Sequence, residues 1–194
     1  MRTVRLLIVM AVAVAAAAGA ILLATRLDQP GPAGTEATTS TTAPPPALGD
    51  PTRVTIPAIG VDSGLVGVGL NPDGSMHTPD FGQAAWYDLG PRPGEPGPAV
   101  VLAHVDSKAK GPDVFYRLRE LKPGDRVTIG FAKGTKTFTV TGREQVAKTQ
   151  LPTGKIWNDT KQPVLRLITC GGAFDHRAGS YLDNIIVYAD QLDA

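Results

Sequence analysis

An all-β barrel or sandwich is the fold class that this sequence predicts, and three observations carry it. Short apolar or alternating runs recur from Pro51 onward, each bounded by Gly or Pro. The chain holds 22 glycines and 17 prolines in 194 residues, many for a helical protein and suited to strands joined by tight turns. Only Val114-Phe115-Tyr116-Arg117-Leu118 looks helical, for about one or two turns.

The elements follow in order. Val54-Thr55-Ile56-Pro57-Ala58-Ile59-Gly60-Val61 predicts short strands broken at a proline, which has no N–H to give a ladder. Residues 99–104, Ala-Val-Val-Leu-Ala-His, form a small apolar run of the kind a buried strand uses. Residues 126–131 and 136–141 alternate on either side of Lys133-Gly134-Thr135 and predict a hairpin. Residues 164–169 and 184–189 predict the last two strands.

Upstream the texture differs, and it divides the chain in three. Residues 1–26 predict a membrane anchor: Arg2 and Arg5 precede an uncharged run over 6–24, close to the ~20 residues that span a bilayer. The alternative is a cleaved secretory signal, with the alanines at 15–18 as a small-residue cleavage site. Arginines ahead of the run put the N-terminus in the cytoplasm and the remainder outside. Residues 27–50 are rich in Pro, Thr and Gly, too polar to bury a core, and predict a disordered linker. Residues 51–194 are long enough for one domain with its own core. A net charge of +1 gives no reason to invoke nucleic acid or another strongly charged partner.

Cys170 is the single cysteine. It cannot form an internal disulfide or a zinc site of several thiolates. It follows the strand-like run 163–169 and precedes Gly171-Gly172, a position open to two readings: a nucleophile at a strand end, or a small buried core residue. An unpaired thiol in an oxidising compartment favours the first. A thiol attacks as thiolate and needs a base or a cation nearby. Of the three histidines, His104 ends a predicted strand, whereas His77 sits in a turn-like segment and His176 in a loop. His104 is therefore the candidate base, with a satisfied barrel-rim histidine as the alternative.

These residues match a family. The chain resembles the sortases, membrane-anchored cysteine transpeptidases of Gram-positive bacteria, over roughly residues 52–189. The family signature Thr-Leu-x-Thr-Cys is matched by Arg166-Leu167-Ile168-Thr169-Cys170 except at its first position. Ala103-His104-Val105-Asp106-Ser107, and Thr169-Cys170-Gly171-Gly172-Ala173-Phe174-Asp175 with Tyr181-Leu182-Asp183-Asn184, are similar to class F, an actinobacterial subgroup. The resemblance implies an eight-stranded barrel with one or two short helices. It also implies that Cys170 attacks the Thr–Gly bond of a Leu-Pro-x-Thr-Gly-like sorting signal, with His104 as general acid and base. The partners implied are secreted proteins bearing that signal and a peptidoglycan precursor or other amine acceptor. The place implied is the outer face of the cell membrane.

The family's third residue is an arginine that donates to the substrate carbonyl. Many relatives carry it just before the Asp-Asn of the last strand, where this chain has Leu182. Arg177, the only arginine after the cysteine, is the expected substitute. Arg166 is the reserve, four residues or about 13 Å of strand from the thiol. Thr169 is expected to shape the floor of the groove, and Asp106 to orient His104 or cap the next turn. Trp86 and Tyr87 are either groove or core-edge residues. No carboxylate cluster suggests calcium, so neither a metal nor a cofactor is expected. Two other readings stand beside the enzyme. One is a sortase-like barrel that binds surface-protein tails without cutting them. The other is a wall L,D-transpeptidase, disfavoured because His104 precedes the cysteine by 66 positions (170 minus 104).

Overall fold

The computed structural model describes residues 48–191, so the expected anchor, nearly all of the linker and the last three residues lie outside it. Among the described residues no helix is long and apolar enough to cross a membrane.

Alternation drives the architecture. Val54 and Ile56 in β1 (Pro51–Ile56), Val127 and Ile129 in β7 (Arg126–Phe131), and Leu165 and Leu167 in β9 (Pro163–Asp175) occupy every second position and are fully buried. A period of two points one side chain in and the next out. With β2 (Val61–Val68), β3 (Ala84–Tyr87), β4 (Gly97–Ala103), β8 (Gly134–Ala147) and β10 (Ser180–Gln191), these strands close a barrel in the order β1-β2-β3-β4-β9-β10-β8-β7, and β7 pairs back onto β1. Closure removes the exposed sheet edge. β5 (Asp106–Ser107) and β6 (Gly111–Pro112) form a separate two-stranded ribbon.

Several expectations change in detail. Pro57 ends β1 and opens a 3₁₀ turn over Pro57–Ile59, closed by Gly60 with φ of 70°. β3 had no strand signal: Ala-Ala-Trp-Tyr does not alternate, alanine is a weak strand former, and both faces are covered. The helix-like run 114–118 is mostly turn, followed by a 3₁₀ turn over Leu118–Glu120. Its fully buried Phe115 and Leu118 are three residues apart, the spacing that such a turn eclipses. Among the described residues the one α-helical turn, α1 (Thr153–Ile156), lies instead between β8 and β9. The strand carrying Cys170 does not stop at the glycines but runs on to Asp175.

Two pairings are parallel, β2 with β3 and β4 with β9. The second matters most. Parallel neighbours run in the same direction, so His104, just past the end of β4, is brought beside Cys170 within β9 although the two are 66 positions apart in sequence.

Candidate active site

The register of β4 on β9 runs Val100↔Arg166, Val101↔Leu167, Leu102↔Ile168. Two further steps put His104 opposite Cys170. The step between is held by a side chain: the buried Thr169 hydroxyl donates to the Ala103 carbonyl oxygen at 2.7 Å. On the other flank β10 is antiparallel and pairs Asn184 directly with Cys170. Since Leu165 and Leu167 fill the barrel, Arg166, Ile168 and Cys170 stand on its outer face. Cys170, His104, Thr169 and Asn184 all line one pocket of about 240 Å³.

The pocket is roofed by connections rather than strands. Ile156 of α1 packs on Val100 of β4 and Ile186 of β10, with Met76 of the β2–β3 connection beside them. Trp157 stands edge-on to Tyr87 at 5.3 Å. Leu151, Ile156, Trp157, Leu102, Ile168 and Pro79 make the lining mainly apolar. Ligand pockets share this character, with a few polar groups to fix orientation.

His104 is held from two sides. Its Nε2 lies 2.9 Å from the Pro79 carbonyl oxygen, which can only accept, so Nε2 carries the proton. That leaves Nδ1 as the nitrogen able to take one. The Phe81 ring stacks on the imidazole at 4.2 Å and 23°, and the Lys110 ammonium lies 5.6 Å from the far ring's centroid. Asp106 does not orient His104; its carboxylate accepts from the Tyr181 hydroxyl at 2.7 Å, a bond that raises the tyrosine pKa. Ser107 ends β5, and its hydroxyl accepts from the Lys110 N–H in the turn that follows.

Just beyond the thiol the backbone bends. Phe174 pairs with Tyr181 and Gly171 with Asp183, so Gly172 and Ala173 oppose the single residue Leu182. This is a β-bulge, with Gly172 at φ 77°. A Cβ on Gly171 would come 2.8 Å from the Ile185 side chain, and one on Gly172 would overlap the Asp183 carboxylate. The Gly-Gly pair is therefore not a turn but the crossing point of two strands, placed next to the nucleophile.

The arginines fall elsewhere. Arg177 is exposed at the tip of the β9–β10 hairpin, where its backbone N–H bonds the Asp175 carboxylate, and its side chain does not line the pocket. Arg166 is only 6% exposed and spends its guanidinium on the carbonyls of Lys155 and Leu165 and on Asn158, above the Tyr188 ring. Burial lowers its pKa, and Asp190 and Tyr188 oppose that. Leu182 is 51% exposed. Trp86 belongs to the core. His77 bonds Asn71, and His176 is an exposed turn residue against Phe174. Among the described residues no group of His, Cys, Asp and Glu is gathered to hold a metal ion.

The structure thus brings together Cys170, His104 and Thr169 and leaves Arg177 outside. It adds Asn184, Phe81 and Pro79, which sequence reasoning did not single out. Asn184 had one signal available: its position at the start of the strand beside the cysteine.

A family description, "Sortase domain", matches residues 54–192. Solved structures agree in fold. Sortase C-1 from Actinomyces oris superimposes with a TM-score of 0.59 at 18% identity, over 74% of this chain and 72% of that one. A lid mutant of sortase A from Corynebacterium diphtheriae gives 0.58 at 18%, over 74% and 70%. The pilus-related sortase C of Group B Streptococcus gives 0.57 at 18%, over 74% and 68%. A comparison with curated proteins finds no match to the sequence.

Proposed function

This chain belongs to the sortase family, and on that premise we propose that it is a class F-like cysteine transpeptidase of the cell surface, with Cys170 as nucleophile and His104 as general acid and base. The observation that carries the reading is the parallel β4–β9 register, which sets the only thiol opposite a histidine in an apolar pocket. The Cys170 thiol gives its proton to His104, and the thiolate attacks the carbonyl carbon of the Thr–Gly bond in a Leu-Pro-x-Thr-Gly-like signal. The tetrahedral adduct collapses, glycine leaves as an amine protonated by His104, and a thioester remains. An incoming amine gives up a proton to His104, attacks the thioester and forms a new amide; water gives hydrolysis. The clients are secreted proteins bearing the signal, and the acceptor is a peptidoglycan precursor or another amine. Residues 1–26 anchor the chain in the membrane and residues 27–50 tether the domain on the extracytoplasmic face, a reading supported by the uncharged run over 6–24.

One observation favours a second reading. Among the described residues no arginine or lysine lines the pocket, which suits a barrel that grips surface-protein tails without cutting them. The full-length chain, incubated with a Leu-Pro-x-Thr-Gly peptide and read by intact mass, separates the two. A thioacyl adduct on the wild type, absent from Cys170→Ala and His104→Ala, supports the enzyme. Saturable peptide binding without any adduct supports the gripping barrel.

A further inference from the structure

The pocket holds a nucleophile and a base, yet among the described residues no cation lines it to take the charge that develops on a carbonyl oxygen under attack. Arg177 stands on the hairpin tip, Arg166 is buried with its donors engaged, and Leu182 has no donor. From the register and this vacancy of charge, the geometry points to Asn184 as the residue that receives the substrate carbonyl, its carboxamide N–H groups serving as the oxyanion donors.

Three observations support the assignment. Asn184 and Cys170 are direct antiparallel partners, so their side chains leave the same face with Cβ atoms about 5 Å apart. Both line the same pocket. Among the described residues the Asn184 carboxamide makes no side-chain hydrogen bond, whereas the Thr169 hydroxyl, also at the pocket, is committed to Ala103. A half-buried amide with unspent donors beside a thiol is arranged to be satisfied by a ligand.

His104 first takes the Cys170 thiol proton on Nδ1. The Cys170 sulfur forms a bond to the carbonyl carbon as the C=O π pair moves onto oxygen. That oxyanion accepts from Asn184 Nδ2. The pair returns as the C–N bond breaks, and the departing amine takes its proton from His104. A neutral amide donor is worth less than a guanidinium but needs no counter-charge in an apolar pocket.

The assignment rests on the transpeptidase reading, and the test keeps the two apart. Single-turnover acylation of the full-length chain is compared for wild type, Asn184→Ala, the near-isosteric Asn184→Asp and Arg177→Ala. Alkylation of Cys170 by iodoacetamide runs in parallel, because that displacement forms no oxyanion. Asn184→Ala is expected to slow acylation roughly 10²- to 10³-fold, mainly in kcat, while alkylation stays within about twofold. Asn184→Asp, which loses both N–H donors, falls with it, and Arg177→Ala stays near wild type. Acylation unchanged in Asn184→Ala, or lost only in Arg177→Ala, overturns the assignment and leaves the transpeptidase reading standing. So does an equal fall in alkylation, which would make Asn184 a structural residue. No acylation by the wild type overturns both.

Discussion

Two ends of one face of the barrel use the same strands for opposite purposes. Along β9 the outward residues are Arg166, Ile168 and Cys170; across β10 they meet Tyr188, Ile186 and Asn184. At the first end nearly every polar group is spent. Arg166 makes three hydrogen bonds, the Tyr188 hydroxyl donates to Glu144, and Lys155 pairs with Glu144 at 3.3 Å. At the second end the histidine and the inward Thr169 hydroxyl are tied, while among the described residues the thiol and the carboxamide have no side-chain hydrogen bond. Ile168 and Ile186 separate the two. A cleft of about 580 Å³ opens over the Arg166 end, larger than the cysteine pocket, but no cysteine or histidine is among the described residues that line it. Satisfied polar groups clamp structure, and unsatisfied ones beside a thiol await a substrate.

The comparison breaks most visibly at Arg166. Arg166→Met keeps much of the side-chain length but removes three bonds, two of which hold Lys155 and Asn158, the residues flanking Ile156 and Trp157 of the pocket roof. The expected cost is about 3 kcal/mol, read from the denaturant midpoint. In a role confined to clamping, KM for the peptide rises several-fold while iodoacetamide alkylation of Cys170 holds. A collapse of alkylation at full stability would place the guanidinium in the chemistry instead.

Thr169→Val tests the tie between the ends of β4 and β9. Valine fits the same volume but leaves the Ala103 carbonyl without the hydroxyl at 2.7 Å. About 1–2 kcal/mol of stability should go. Because the bond sets how His104 meets Cys170, acylation should fall by more than peptide affinity. Equal losses would reduce Thr169 to packing.

Leu182→Arg sharpens the comparison by adding charge where the structure has none. Leu182 lies in the bulge opposite Gly172 and is half exposed, so a guanidinium is accommodated without burying it. In the Asn184→Ala background it should recover acylation by about tenfold. No recovery would mean that the bulge does not present position 182 to the thiol.

Much of this was legible in the sequence, for physical reasons that differ by residue. The hairpin around Lys133 declared itself by alternation, because a strand buried on one face must repeat every two residues, and the strand of Leu165 and Leu167 by its apolar run. Cys170 and His104 were legible by type and by their places at strand ends. Their meeting was not, since it depends on a parallel pairing between strands 66 positions apart that no local pattern encodes. β3 was silent because both its faces are covered. Arg177 seemed available by chain distance, yet β9 continues past the glycines and carries it to a hairpin tip. The pairing of Asn184 with Cys170 was hidden for the same reason that Arg177 was attractive: proximity across a ladder is set by register, not by separation along the chain.

The finest test of the clamped end is its titration. Burial first, and the bond to Glu144 next, hold the Tyr188 hydroxyl well above the usual tyrosine range. The same bond, with Lys155, lowers the Glu144 pKa. A tyrosine pKa raised on folding favours the neutral form, so its contribution is whole below about pH 10 and is lost as pH rises through the folded value. A lowered carboxylate pKa works the other way: its contribution is whole above about pH 4.5 and fades as pH falls through the folded value. The chain has four tyrosines, and Tyr188 should be the last to show tyrosinate absorbance in an alkaline titration. Tyr188→Phe should remove that late step and cost about 1 kcal/mol near neutrality, discounted because Glu144 is partly exposed. It should leave acylation at Cys170 unchanged, since Ile168 and Ile186 stand between. If Tyr188 titrates with the other tyrosines, or if its loss slows acylation, the two ends are not independent and the apolar divide between them does not insulate one from the other.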